Sequence, residues 1–541
     1  MNDVQASLRE GIEEAIDVLA FRDIVYFDPF AKRWEGCLEP DDVVLTAFGE
    51  VLCDALMPRD GTIVCKHPSG KAYIKGDWIT RDREGRYCVV DKAATVPPRG
   101  RAAEYYQVDD DDDDARRQPQ PTAIDLRGCY VQAGDMRRLT LSLATNYFVQ
   151  SLHLGGNGLR DESLLLLSAA LATNGSLQTL VLSYNAITAV GAIALAEALA
   201  TNAALTHLDV AHNQIGSEGC LAWLNLKTNS TLRTLHMSHN PAIADGGGVD
   251  LLRPLAAEPL SLADETRQKL LLKSKSRTYT ATLLDAPANT SLVTLTLSEI
   301  GLSEASACRL QHVLSTTSVL TSLDVSMNSL SLESSKALAR GLAANASLTY
   351  LHAGANVLDD EIGDLMATAL GAHPRLRTAL FPASFHGPHA GSYLAKTLLT
   401  TLSLSHMDIS GGLLEPPGIV ALCKAIGTNA TLRVLELTSI GLKSDTIVQV
   451  LSTALEANTT LLELHLGYNS ITLRGCKLLR DAISATQCQL TPETLVLEGN
   501  SGTKARGSSV LISGGSLSPT MRPEHPNSMI DKPLIMFQRP S

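Results

Sequence analysis

The chain has 541 residues, 45% of them hydrophobic but only 4% aromatic, and a net charge of −12. That length holds several ordinary domains or one long repeat array, and a core so poor in rings must be aliphatic. The acidic balance offers no electrostatic footprint for nucleic acid or an anionic membrane, and the longest apolar run, "LLLLSAALA" at 164–172, is too short to span a bilayer.

Residues 1–108 show no repeat. "SLREGIEEAIDVLA" (7–20) has the spacing of an amphipathic helix, and "PDDVVLTAFGEVLCDAL" (40–56) reads as a second helix capped by its Asp pair. "TIVCKHP", "KAYIKGDWIT" and "GRYCVVDK" are β-rich runs separated by turn residues and predict a three-stranded meander. The expectation is a small α+β domain packed on or near the segment that begins at 121. The start is polar and acidic, unlike a signal peptide. The ten cysteines include no CxxC pair and read as reduced thiols of a cytosolic compartment. Residues 109–120 carry six consecutive Asp, a run that repels itself and predicts an extended acidic linker.

From 121 to 502 the pattern LxxLxLxxN recurs. It ends at Asn157, Asn185, Asn213, Asn240, Asn328, Asn356, Asn469 and Asn500, with Cys129, Ile300, Ser384, Met407 (in "LTTLSLSHM") and Ile440 in the Asn slot elsewhere. The steps 129, 157, 185, 213 and 300, 328, 356, 384 are each 28 residues, which means stacked repeats. Leu–x–Leu alternation makes a short strand with one buried face. A buried Asn at its exit can bond backbone groups of neighbouring turns. In "AVGAIALAEALATN" (189–202), Ile193, Leu195, Ala196 and Leu199 predict the inward face of a helix, ended by an Asn suited to a left-handed cap. One turn cannot bury its own leucines, so turns must stack. Thirteen repeats are clear. A fourteenth is expected within an insertion near 241–290, where "RQKLLLKSK" would point Leu270 and Leu272 inward, and "SGGLLEPPG" near 410–418 reads as a second insertion.

The repeat LxxLxLxxN followed by "xIxxxGAxALAxALATNxSL" resembles the ribonuclease-inhibitor-like leucine-rich repeats. The resemblance implies an α/β horseshoe, with a parallel β-sheet on the concave face and helices on the convex one, preceded by the small α+β domain. That class includes the ribonuclease inhibitor, NOD-like receptors, Ran GTPase-activating protein and axonemal subunits. No nucleotide-binding module accompanies the repeats here.

In a strand the residue between two inward leucines points outward, here onto the concave face. Read in chain order, that column holds Asp125, His153, Val181, Asp209, His236, Leu271 (in the hidden repeat), Thr296, Asp324, His352, Leu380, Ser403, Glu436, His465 and Val496. Four times an acid precedes a His on the next strand: Asp125–His153, Asp209–His236, Asp324–His352 and Glu436–His465. Strands lie about 4.8 Å apart, so each pair could touch. With Val181 and with His207 on the same face, these form the candidate partner surface. The histidines stand too far apart to share a metal ion, no nucleophile elbow appears, and no cofactor is expected. The six N-glycosylation sequons, beginning at 174, 229, 289, 345, 429 and 458, fall at one repeat position and read as by-products of it.

Residues 503–541 are rich in Ser, Gly and Pro and predict a tail that is disordered or docked through the apolar cluster in "MIDKPLIMFQRP", on this chain or on another. The whole reads as a non-enzymatic protein–protein interaction scaffold in a larger cytoplasmic assembly of cytoskeletal or flagellar type. It would bind protein partners through the concave face, the N-terminal domain or the tail, and neither nucleic acid nor membrane. The alternatives are a regulator of a small GTPase resembling Ran GTPase-activating protein, whose acidic run follows its repeats, and an inhibitor that wraps an enzyme.

Overall fold

In the computed structural model the described residues are 8–9, 11–13, 15–16, 122–256, 287–485, 488–501 and 537–538, with eight strands between 26 and 89. The Leu–x–Leu pattern does what alternation dictates. Thirteen short strands, from Ala123–Asp125 to Leu495–Val496, stack in parallel. Leu152 sits opposite Leu180, Leu180 opposite Leu208, and Leu208 opposite Leu235. In each three-residue strand the middle side chain is buried and its two neighbours are half-exposed. A helix or helical turn follows most strands and buries its aliphatic face behind the sheet. In Ala189–Leu199 the inward residues are Ala192, Leu195, Ala196 and Leu199, while Ile193 is only half-buried. One continuous core runs from Ile124 to Leu497.

Two ladders of asparagine amides bind turn to turn. At the strand exit, Asn213 Nδ2 donates to the carbonyls of Leu182 in the preceding turn and of Val210 and Ala211 in its own, each at 3.0 Å. Its Oδ1 accepts the Ile187 N–H at 3.1 Å. Asn185, Asn240, Asn328, Asn356 and Asn469 repeat the arrangement. The second ladder runs along the helix ends. Asn202 Nδ2 donates to Leu171 O at 2.7 Å and Asn174 O at 3.0 Å, and its Oδ1 accepts the Leu205 N–H at 2.8 Å. These residues are not left-handed caps: Asn345, Asn429 and Asn458 have φ of −82°, −69° and −81° with extended ψ. The extended backbone frees the amide to reach the turn behind. It also explains the sequons, whose Asn174, Asn229, Asn345, Asn429 and Asn458 are buried with their amides in use.

Several expectations need correction. Leu235 pairs directly with Leu295; residues 257–286, with "RQKLLLKSK" and the expected fourteenth repeat, lie outside the described ones. The repeat framed on Met407 is shifted by five residues. The strand is His406–Asp408, with Leu380 opposite Asp408, so Asp408 and not Ser403 occupies the outward column. Leu399 and Leu402, inward in the shifted frame, are 63% and 89% exposed. In the true frame Gly412 takes the Asn slot, one more 28-residue step from Ser384, and "SGGLLEPPG" is no insertion but an ordinary exit into the helix Pro416–Thr428. That helix meets Ala390–Thr400 backbone to backbone, for a Cβ on Gly391 would lie 2.4 Å from the Gly418 carbonyl carbon.

The proposed helix at 40–56 is a hairpin, Val43–Thr46 with Gly49–Met57, closed between Thr46 and Gly49. A run apolar in nearly every position carries no period to separate helix from strand. The hairpin joins Thr62–His67, Gly70–Lys75, Ile79–Arg81 and Tyr87–Val89 in a six-stranded sheet, in place of a three-stranded meander. The helical residues between 8 and 16 bury Leu8, Ile12, Ala15 and Ile16 in the repeat core. Arg9 holds Asp135 through two 2.8 Å bonds, and Arg138 pairs with Glu13 at 2.7 Å. At the other terminus Phe537 and Gln538 add an antiparallel strand to Ala123–Asp125, a docking on the same chain. The acidic run at 109–120 and the remainder of the tail, 502–536 and 539–541, lie outside the described residues.

Asn213→Ala leaves the Ile187 N–H without its partner inside the core and takes one of two donors from each of the Leu182, Val210 and Ala211 carbonyls. It is expected to lower stability by about 3–5 kcal/mol, read as a reduced urea midpoint, with Asn213→Gln failing to restore it because the longer arm misplaces the amide.

Candidate protein-docking face

Because the strand-exit ladder fixes every strand in register, the outward residues form rows across the sheet. The structure places Asp125 opposite His153, Val181 between His153 and Asp209, Asp209 opposite His236, Asp324 opposite His352, and Glu436 opposite His465. Each strand also presents its first residue, and this second column holds His207, His406 and Glu463. The thirteen strands carry six carboxylates, six histidines and no Lys or Arg.

Of the four acid–His pairs expected, one closes: His352 Nδ1 lies 3.3 Å from Asp324 Oδ2. The others find nearer partners. Asp125 is bound by the Arg127 guanidinium at 2.5–3.0 Å, and His153 turns to Ser151 Oγ at 2.9 Å. Asp209 accepts the Ala211 N–H at 2.9 Å, while His236 Nδ1 meets Thr296 Oγ1 at 3.0 Å. Glu436 bonds His406 at 2.9 Å, leaving His465 to Glu463 at 2.7 Å. His207 stands edge-on to His236 with ring centroids 5.1 Å apart.

Burial opposes ionisation of the Asp324 carboxyl, but His352 and the Ser326 hydroxyl and N–H hold it below the usual range. The His406 hydrogen bond does the same for Glu436. Burial pushes Asp408 upward, aided by the neighbouring Glu436 charge. Partial burial, more than any neighbour, depresses His153, His207, His212 and His236, disfavouring their charged forms. Among the described residues no group of three or more His, Cys, Asp or Glu is placed to hold a metal ion. No helix among them is long and apolar enough to cross a membrane.

The sequence reading missed His406, Asp408 and Glu463. Holding the 28-residue step past Ser384 and reading both outward columns would have found them. It also missed a third row, the residue before each Asn slot. That residue has positive φ in every turn: Gly at 128, 156, 411 and 499, and Tyr184, His212, His239, Glu299, Met327, Ala355, Ala383, Ser439 and Tyr468 elsewhere.

A neutral histidine also replaces one rung of the helix-end ladder. His373 Nδ1 accepts the N–H groups of Arg375 at 3.2 Å and Leu376 at 2.9 Å, and burial depresses its pKa. A depressed folded-state pKa means the unfolded chain takes up protons first as pH falls below about 6.5, so stability present at neutral pH is lost in that window. Thermal unfolding is expected at a lower temperature near pH 5.5 than near pH 7.5, and His373→Asn, which restores the amide, should narrow the difference.

The family described as "Leucine Rich repeat" matches residues 173–196, 201–222, 228–252 and 457–479. A search of the curated proteins finds no match. Among solved structures the chain is similar to leiomodin-1 actin-binding site 2, at 24% identity over 29% of this chain and 89% of that one, TM-score 0.22. An internalin from Listeria monocytogenes shares 16% identity over 73% of this chain and 88% of its own, TM-score 0.39. TLR13 in its complex with ssRNA13 shares 17% over 60% and 44%, TM-score 0.34. Four family matches straddling the strands at 179–181, 207–209, 234–236 and 463–465, within thirteen stacked turns, make this chain a leucine-rich repeat solenoid.

Proposed function

We propose that the chain is a non-enzymatic protein–protein interaction scaffold whose concave face receives a partner, within an assembly of cytoskeletal or flagellar type. The observation that carries the reading is the outward surface of the sheet. Two columns of half-exposed side chains, held in register by buried amides, present carboxylates and imidazoles with no Lys or Arg in any of the thirteen parallel strands. Asp125, His153, Val181, His207, Asp209, His236, Asp324, His352, Glu436 and His465 all lie on it. A preorganised face of this kind binds without first ordering itself. The type of assembly rests on the resemblance of the repeats to a class that includes axonemal subunits.

Val181→Arg and Leu380→Arg each put a guanidinium on the outward column without touching the core. Proteins co-purifying with the tagged chain should fall about tenfold with either variant while circular dichroism is unchanged, and microscopy should show both variants leaving the site where the parent chain concentrates. Retention of every partner by both variants would refute the concave face as the docking site.

A further inference from the structure

The row before each Asn slot is left-handed in every turn, a conformation that glycine adopts freely and that other side chains resist. In the third to fifth turns the row spends that cost on rings. Tyr184 stacks on His212 with centroids 3.9 Å apart and planes 11° from parallel, and His212 stacks on His239 at 3.9 Å and 13°. His239 Nδ1 then meets Glu299 Oε2 at 2.7 Å. Strained backbone kept under exposed side chains points to a use for them.

The stack has an open end. The two preceding turns place Gly128 and Gly156 in the row, which carry no side chain to lie on the far face of Tyr184, and Tyr184 is 63% exposed. Carboxylates stand along the stack: Asp209 lies on the strand opposite Val181, and Glu299 closes the His239 end. Arg127, whose side-chain stem passes beside Gly155, is already bound through two nitrogens to Asp125. An exposed ring face on a sheet whose thirteen parallel strands carry six carboxylates and no Lys or Arg suits a planar cation above other groups.

Resting on the concave-face reading, we propose that the Tyr184–His212–His239 stack is the recognition element for an arginine in a basic segment of the protein partner, the guanidinium lying on the open face of Tyr184.

The test is fluorescence anisotropy of the full chain with a labelled nonapeptide of alternating Arg and Gly, its Lys counterpart, and a labelled single-stranded oligothymidine. The Arg peptide should bind at least about threefold tighter than the Lys peptide. Tyr184→Ala should weaken it roughly three- to thirty-fold, while Tyr184→Phe, which keeps the ring, stays within about twofold of the parent. Circular dichroism confirms that each variant is folded. Equal affinity for the Arg and Lys peptides, no loss with Tyr184→Ala, or tighter binding of the oligothymidine would each overturn the proposal. If Val181→Arg and Leu380→Arg release partners while Tyr184→Ala leaves the Arg peptide bound, this inference alone fails. If the peptide depends on Tyr184 while those variants keep their partners, the concave-face reading fails instead.

Discussion

A strand that ends after three residues, beside another that does the same, leaves carbonyls and N–H groups buried at its exit with no backbone to pair them. The side-chain amide of one Asn per turn resolves this, because it carries a donor and an acceptor on a short arm and can serve two turns at once. Where Ile300 and Ile440 stand in the slot, the next turn compensates. Asn328 Oδ1 takes the N–H groups of Ile300, Gly301 and Leu302 at 3.1 Å each, and Asn469 Oδ1 takes those of Ile440, Gly441 and Leu442 at 2.9–3.3 Å. Ser384 does part of the work with its hydroxyl, donating to Ala353 O at 3.3 Å and Pro382 O at 3.1 Å. Leucines supply the burial, but the amides set which turn sits on which and at what spacing.

That fixed spacing separates two kinds of residue. Inward positions have no freedom, since a change of size opens or crowds a packed core. Outward positions answer only to water, to each other and to whatever docks. The acid and histidine rows belong to the second kind, and their bonding shows it: five of the six histidines take a polar atom on their own or an adjacent strand, and His207 stands edge-on to His236. Such contacts are worth a few tenths to about 1 kcal/mol each, too little to explain the absence of Lys and Arg along thirteen strands by stability alone.

The period and the Leu–x–Leu alternation were legible because each repeat states them again, and the fold follows from stacking alone. The misreadings have local causes. Leu399, Leu402 and Leu404 mimic the motif five residues early, and only the unbroken 28-residue step, not the local letters, identifies Met407 as the buried centre of its strand. The outward column could be read, but not its pairing. Asp209 and His236 are opposite in register, yet Ala211 and Thr296 offer geometry that the sequence does not display. The ring stack was hidden for a different reason. "SYN", "AHN" and "SHN" look like filler until the left-handed backbone shows that a ring there is a cost.

A solenoid's stability is close to a sum of neighbour contacts, which makes its terminal turns the weakest. The first turn here is reinforced from both ends of the chain. Leu8, Ile12, Ala15 and Ile16 join the core the first helix would otherwise leave open, with Arg9 and Glu13 tying them to Asp135 and Arg138. Phe537 and Gln538 pair with Ile124 and Ala123, covering the edge of the sheet where another strand could add. Segments from opposite ends of the chain thus converge on one repeat. Loss of either terminal segment exposes a different surface, an apolar helix face in one case and a strand edge in the other. The turn they protect is the one that positions Asp125 and Arg127, at the N-terminal border of the ring stack, so the integrity of both termini bears directly on the part of the concave face richest in histidine.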